Sequence, residues 1–177
     1  GVFKSEDGGT TWRNMGLHDS HHVSALVVHP KDPNIVYVSS MGHHRSNNAE
    51  RGIFKSTDGG KTWASVLFIS DSVATVDLVI DPFDVSTLYA SSWDRRGDGS
   101  GIYRSIDEGA NWTRLTEGLP AGADTGRVAI DVSRSQEDLV YALVVNRKLS
   151  SGRRPGGAEV YRSEDGGETF ERTHEEP

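Results

Sequence analysis

Cysteine is absent from this 177-residue sequence, and aromatic residues make up only 8% of it. The absence of cysteine excludes disulfides and thiolate metal sites. No stretch approaches the ~18 consecutive apolar residues of a membrane span, and no signal peptide is recognisable. Basic residues are outnumbered 26 to 19 by acidic ones, and the net charge of −7 argues against a general nucleic-acid-binding surface. No segment has a helical period, so we expect no long helix.

What the chain does contain is one eight-residue pattern written four times. The copies read SEDGGTTW, STDGGKTW, SIDEGANW and SEDGGETF, and each follows a short strand-like run such as GIFK or GIYR. The aspartates of successive copies lie 51, 49 and 58 residues apart. Self-similarity at a period near 50 residues, with short strands, is typical of β-propeller blades. The pattern S-x-D-x-G-x-T-W is the Asp-box.

The Asp-box residues are predicted to build a turn and not an active site. The serine ends a strand, the aspartate accepts backbone N–H groups, the glycine allows a positive φ, and the aromatic residue buries apolar surface. An active site needs one constellation, whereas this pattern recurs four times. The predicted structural residues are Ser5, Asp7, Gly9 and Trp12; Ser56, Asp58, Gly60 and Trp63; Ser105, Asp107, Gly109 and Trp112; and Ser163, Asp165, Gly167 and Phe170.

A second theme lies between the boxes and completes each repeat. Two apolar strands joined by a polar turn precede every later box, and their tyrosines, Tyr37, Tyr89 and Tyr141, are 52 residues apart each time. One repeat therefore has four strands, called A to D from first to last. The sequence predicts an all-β fold, one partial propeller of three and a half blades: a half blade at 1–15 and full blades at 23–67, 75–115 and 126–172.

An open arc of blades leaves apolar faces uncovered at both ends. We therefore expect the partner of this chain to be either the remaining blades of a longer propeller or a second copy of the chain. Two copies of three and a half blades total seven, a possible closed ring.

The loops between strands B and C are the predicted ligand-binding face. They are long and dissimilar, unlike the short turns at the box end, and variable loops on a rigid scaffold often carry binding sites. They are also rich in arginine, which suits anionic groups such as a carboxylate or an acidic sugar, although solvated loops or salt bridges between blades explain the charge as well. The candidate residues are His43, His44, Arg45, Arg95, Arg96, Arg147, Arg153 and Arg154.

Histidines concentrate in the first 44 residues and raise the question of a metal site. His21, His22, His43 and His44 fall on neighbouring loops of one blade. Adjacent histidine pairs rarely give two ligands to one ion, and no HExxH-like spacing is present. We therefore predict no metal, and no motif indicates any cofactor.

Longer phrases, such as ERGIFKSTDGGKTW and GSGIYRSIDEGANWTRLTEGLP, resemble bacterial proteins with sortilin-type propellers. The resemblance implies non-catalytic binding of a peptide or protein, and an extracellular or periplasmic location. The alternatives are a segment of a xyloglucanase-like or sialidase-like glycosidase and a purely architectural segment. No catalytic residue is assigned, and if the chain is enzymatic it is a glycoside hydrolase.

The glycosidase alternative meets two difficulties in the sequence. The Arg-Ile-Pro motif expected of a sialidase is missing. A xyloglucanase needs two carboxylates facing each other across a cleft. Asp77 lies on an inward strand, and Asp81 and Asp131 are predicted to occupy equivalent turn positions, which favours a structural role for that pair.

Overall fold

The computed structural model describes residues 1–95, 98–120, 122–147 and 157–174, and these residues form antiparallel sheets in chain order. A two-stranded N-terminal hairpin pairs β1 (Phe3–Lys4) with β2 (Arg13–Asn14). The first blade contains β3 (Val23–Val28), β4 (Val36–Ser40), β5 (Gly52–Ser56) and β6 (Ala64–Leu67). The second contains β7 (Ala74–Ile80), β8 (Leu88–Trp93), β9 (Gly101–Ser105) and β10 (Thr113–Leu115). The third contains β11 (Thr125–Val132), β12 (Val140–Asn146), β13 (Ala158–Ser163) and β14 (Glu171–Arg172).

The all-β propeller class predicted from the repeat is confirmed. Each blade pairs its strands in simple sequence order, as an up-and-down propeller blade does. The helices of the described residues are two short 3₁₀ segments, His18–Ser20 and Gly122–Asp124. Neither is long or apolar enough to cross a bilayer.

The repeat pattern predicts that the fourth strands of the full blades start at Thr62, Asn111 and Thr169, but in the structure all three start later. Strand β6 begins at Ala64 and not at Thr62, and β10 and β14 are shortened in the same way. The cause is the box turn, because the Thr62 amide still donates to the Asp58 carboxylate and is not available to the sheet. Thr62 therefore belongs to the box turn and not to the strand that follows it.

The core lies between the blades. The first strand of the second blade, β7, contacts both β3 and β11, so these three strands form the inner side of the arc. Strands β4 and β8 are buried on both faces because a sheet packs on either side of each. Strand β12 instead alternates between buried and exposed residues, which means that only one of its faces is covered. This contrast marks the open end of the arc.

Candidate functional site

The four box turns share one hydrogen-bond arrangement at the same end of the blades. In the first blade Ser56 Oγ donates to Asp58 Oδ1 over 2.8 Å and accepts the Gly60 amide over 2.8 Å. The two Asp58 oxygens accept the Thr62 amide at 2.9 Å and its hydroxyl at 2.7 Å. The other three turns repeat these bonds, with Asn111 in place of the threonine in the second blade.

The box glycines and aromatic residues complete the turn. Gly9, Gly60, Gly109 and Gly167 have φ between 86° and 93°, a region that L residues avoid. Trp63 donates its Nε1–H across to the Met15 carbonyl of the hairpin, and Phe170 is buried. Trp12 is 63% exposed and donates only to its own turn, at the Gly9 carbonyl.

The box carboxylates are held ionised by their donors. Hydrogen bonds from the Thr62 hydroxyl and amide, followed by Ser56, lower the pKa of Asp58 from 3.8 to about 2. Those from the Asn111 side chain and amide lower the pKa of Asp107 in the same way. A carboxylate that uses its oxygens to fix a turn, and titrates this low, is poorly suited to act as a catalytic acid near neutral pH.

These depressed pKa values predict an acid-dependent stability. A carboxyl group whose pKa is lower in the folded state stabilises the fold above its ordinary pKa of 3.8, and this contribution disappears as pH falls towards about 2. We expect the urea midpoint of unfolding to fall between these pH values, and to fall less steeply in Asp58→Asn. Equilibrium urea titrations across that range measure it. The control is Glu137→Gln, which removes an exposed carboxylate outside the Asp-box turns and should leave the slope unchanged.

At the opposite end of the blades, the loops bring the histidines and an aromatic residue together. The ring centroids of His21 and His43 lie 3.6 Å apart with the rings tilted by 37°, and those of His22 and His44 lie 6.3 Å apart. His44 also lies 6.1 Å from the ring of Trp93, the last residue of β8. The loops of the first and second blades therefore meet at Trp93.

Trp93 also contacts the third blade. The guanidinium of Arg127, near the start of β11, lies 4.7 Å from the Trp93 ring centroid, a cation–π geometry. Trp93 is thus bordered by an imidazole from one blade and a guanidinium from another. We call Trp93, His44 and Arg127 the loop-end cluster.

Two of the loop arginines act as braces. Arg51 donates to the carbonyls of His43 and Ser46, which closes the B–C loop of the first blade. Arg147 donates to the Asp94 carbonyl over 2.6 Å and to the Ala123 carbonyl, tying the third blade to the second. Both side chains donate to backbone carbonyls through their Nη atoms, which restrains the loops around Trp93.

The remaining predicted residues divide between a cleft and the part of the chain outside the described ranges. Arg45 and Arg95 line an open cleft together with His44, Arg51 and Asp94. Arg96, Arg153 and Arg154 lie outside the described residues. The binding of an anionic group in this cleft stays a prediction. Among the described residues, no group of three or more His, Asp or Glu side chains is arranged to hold a metal ion.

The equivalence of Asp81 and Asp131 was wrong. Strand register aligns Ile80 with Val132, because they pair with Leu88 and Val140, so Asp81 corresponds to Ser133. Asp81 accepts the amides of its own turn, as Ser133 does.

Asp131 and Asp77 lie within strands and not in turns. Asp131 is an exposed residue of β11 and pairs with Tyr141. Asp77 Oδ2 accepts the Ile130 amide of the next blade over 3.1 Å, which is a structural contact.

Neither Trp93 nor Arg127 is among the ligand-binding residues predicted from the sequence. A signal for Trp93 was present, because it is the one tryptophan outside an Asp-box and it stands directly before a charged loop. Arg127 carries no such signal, since only the packing of β11 beside β8 places it over the ring.

Comparisons with known proteins agree with this geometry. Residues 54–65 match the BNR/Asp-box repeat family. A xyloglucanase from a Paenibacillus species is 27% identical over 183 residues, which cover 92% of this chain and 17% of that protein. Xyloglucanase Xgh74A from Acetivibrio thermocellus is 24% identical over 201 residues, covering 100% of this chain and 23% of that protein. The crystal structure of the GH74 enzyme from Niastella koreensis superposes with a TM-score of 0.74 at 22% identity, over 97% of this chain and 26% of that one.

The chain has an Asp-box propeller fold. It spans about a fifth of the length of the curated relatives that it matches. The comparisons do not support the sortilin-type resemblance drawn from the sequence, and the relatives favour the glycosidase alternative instead. The Asp-box phrases encode blade structure, which is shared among propellers with different functions, so they do not distinguish these families.

Proposed function

We propose that this chain is a segment of a glycan-acting propeller and contributes to binding a polysaccharide of the xyloglucan type. Support comes from the two relatives named xyloglucanases, which align with nearly all of this chain. The observation that carries the proposal is the loop-end cluster, since it provides an aromatic ring beside charged hydrogen-bonding side chains.

The chemistry of the cluster suits a sugar ring. The C–H face of a pyranose packs on an indole such as Trp93, while its hydroxyl groups need donors and acceptors at the ring edge. Arg127, which lies over the Trp93 ring, supplies guanidinium N–H donors, and His44, with its ring centroid 6.1 Å away, supplies an imidazole. The braced loops limit the conformational entropy that binding costs.

The proposal assigns binding, and not bond cleavage, to these residues. Glycoside hydrolysis needs a pair of carboxyl groups, one as acid and the other as base or nucleophile. The box aspartates are excluded from that role by their geometry and their low pKa. We propose that the whole protein is a glycoside hydrolase that acts outside the cytoplasm, where its polysaccharide substrate lies.

Substitution of Trp93 tests the proposal. We expect the chain to bind a xyloglucan oligosaccharide with a change in tryptophan fluorescence, and Trp93→Ala to weaken binding about tenfold or more, equivalent to about 1.4 kcal/mol. The measurement is a fluorescence or calorimetric titration.

Trp12→Ala is the matched control, because Trp12 is an exposed indole at the opposite, box end of the blades. It should leave affinity unchanged. Equal loss in both variants, or a chain that does not bind the oligosaccharide at all, would overturn the proposal. A short acidic peptide titrated in parallel, with Arg45→Ala, tests the separate prediction of an anionic ligand in the cleft.

A further inference from the structure

A recurring lock joins each blade to the next. Tyr37 Oη donates over 2.9 Å to the carbonyl of Glu108, the fourth residue of the second blade's box. Lys55 Nζ donates to the same carbonyl over 3.0 Å. One tyrosine and one basic residue of a blade therefore donate hydrogen bonds to the same carbonyl in the box turn of the next blade.

The junction between the second and third blades has the same arrangement, with an arginine in place of the lysine. Tyr89 Oη donates to the carbonyl of Gly166, again the fourth box residue, over 2.9 Å, and Arg104 Nη1 donates to it over 2.7 Å. In each case an acidic side chain of the receiving turn pairs with the basic residue: Glu108 with Lys55, and Glu168 with Arg104.

The third blade carries the same pair, but among the described residues no further box turn lies against it. Tyr141 and Arg162 are directly opposite on β12 and β13, as Tyr37 and Lys55 are on β4 and β5. Tyr141 is 40% exposed, whereas Tyr89 is 1% exposed. Leu143 on the same face is 46% exposed. Arg162 pairs with Glu164 of its own turn.

We propose that Tyr141 and Arg162 are a docking site for the Asp-box turn of a further blade, whose fourth box residue accepts both donors through its carbonyl. An acidic residue in that turn takes over Arg162 from Glu164, as Glu108 and Glu168 do at the two existing junctions. This interaction is independent of the proposed glycan binding. It specifies the occupant of the open face by its chemistry: a β-blade with an Asp-box.

A second copy of the chain fits this face poorly. Its N-terminal hairpin has a box turn, Ser5–Trp12, but β1 and β2 are only the outer pair of a blade. Two copies would bring two outer pairs and no inner pair, so they cannot merge into one blade and close a seven-bladed ring. Leu143, which is 46% exposed on this face, would stay uncovered. The inner strands of a complete blade cover it.

The test adds a blade to the full chain. In the extended protein, a second copy of residues 68–117, which contain the second blade and the segment before it, follows residue 177. Repeat proteins gain stability from each new interface between neighbours. We expect Tyr141→Phe to leave the urea midpoint of the 177-residue chain unchanged and to lower that of the extended protein, with Arg162→Met behaving in the same way.

Tyr89→Phe is the matched control, because its lock is already formed. It should lower the midpoint in both proteins, by an amount similar to that of Tyr141→Phe in the extended one. A Tyr141→Phe effect that is absent from the extended protein, or equal in both, would overturn the proposal. So would self-association of the 177-residue chain that Tyr141→Phe abolishes, since the occupant would then be a second copy.

Discussion

Replacement of Gly52 by alanine is expected to lower the free energy of unfolding by about 2–5 kcal/mol. Gly52 opens β5 with φ of 114°, and a Cβ placed on it would lie 1.9 Å from the Leu67 carbonyl oxygen at the end of β6. The backbone conformation disfavours an L side chain, and the contact atom belongs to the backbone and cannot rotate away. Both costs fall on one substitution, which would remove a large share of the stability of an ordinary domain.

Gly59→Ala is the control for Gly52→Ala. Gly59 also has a positive φ, 72°, but its nearest neighbours to a new Cβ are side-chain atoms at 3.5 and 3.6 Å. It should cost only about 1–2 kcal/mol, the cost of the left-handed conformation alone. Urea unfolding of both variants separates the two contributions. Equal losses would mean that the close approach of β5 and β6 relaxes without cost.

Glu159→Gln is the second substitution with a large expected effect, about 2–3 kcal/mol. Glu159 occupies in the third blade the position of Gly52 in the first, and its side chain is only 4% exposed. It accepts Asn146 Nδ2 at 2.7 Å, Tyr161 Oη at 2.8 Å and Arg172 Nη1 at 2.8 Å. These bonds tie together β12, β13 and β14. Glutamine removes the charge and leaves one oxygen to serve three donors.

The pH dependence of Glu159 has a defined sign. Burial by itself raises the pKa of Glu159, but the hydrogen bonds from Asn146, Arg172 and Tyr161 outweigh it and hold that pKa below 4.5. Its contribution to stability is therefore present above about pH 4.5 and is lost as the pH falls further. The difference in urea midpoint between wild type and Glu159→Gln should be smaller at pH 4 than at pH 7.

Glu164→Gln is the surface control for Glu159→Gln. Its ion pair with Arg162 leaves the Glu164 side chain 61% exposed, and exposed pairs contribute little. We expect a change below about 0.5 kcal/mol. If both variants lost the same free energy of unfolding, the buried hydrogen bonds of Glu159 would stabilise the fold no more than an exposed ion pair does.

The repeat predicted the fold because its signal is local. The spacing of Asp7, Asp58, Asp107 and Asp165 sets the blade length, and each box needs only its own eight residues to close its turn. Strand order within a blade is the sequence order, because consecutive strands pair as antiparallel neighbours. The ends of the strands were less predictable, since Thr62 looks like a strand residue until Asp58 takes its amide.

The candidate site depended on contacts between blades, which a single sequence does not encode in any short pattern. His44, Trp93 and Arg127 come from three blades and meet only because the blades pack side by side. For the same reason the loop arginines looked alike in the sequence, whereas packing made Arg51 and Arg147 braces and left Arg45 and Arg95 in a cleft.

Sequence alone therefore determined the all-β class, the repeat length and the turn chemistry of this protein, because each depends on residues a few positions apart. Tertiary structure decided which side chains meet at the loop end, that Asp81 corresponds to Ser133, and that Tyr141 remains exposed where Tyr89 is buried. Those outcomes depend on strand register and on whether a neighbouring blade is present, and both are properties of packed sheets rather than of any one segment of chain.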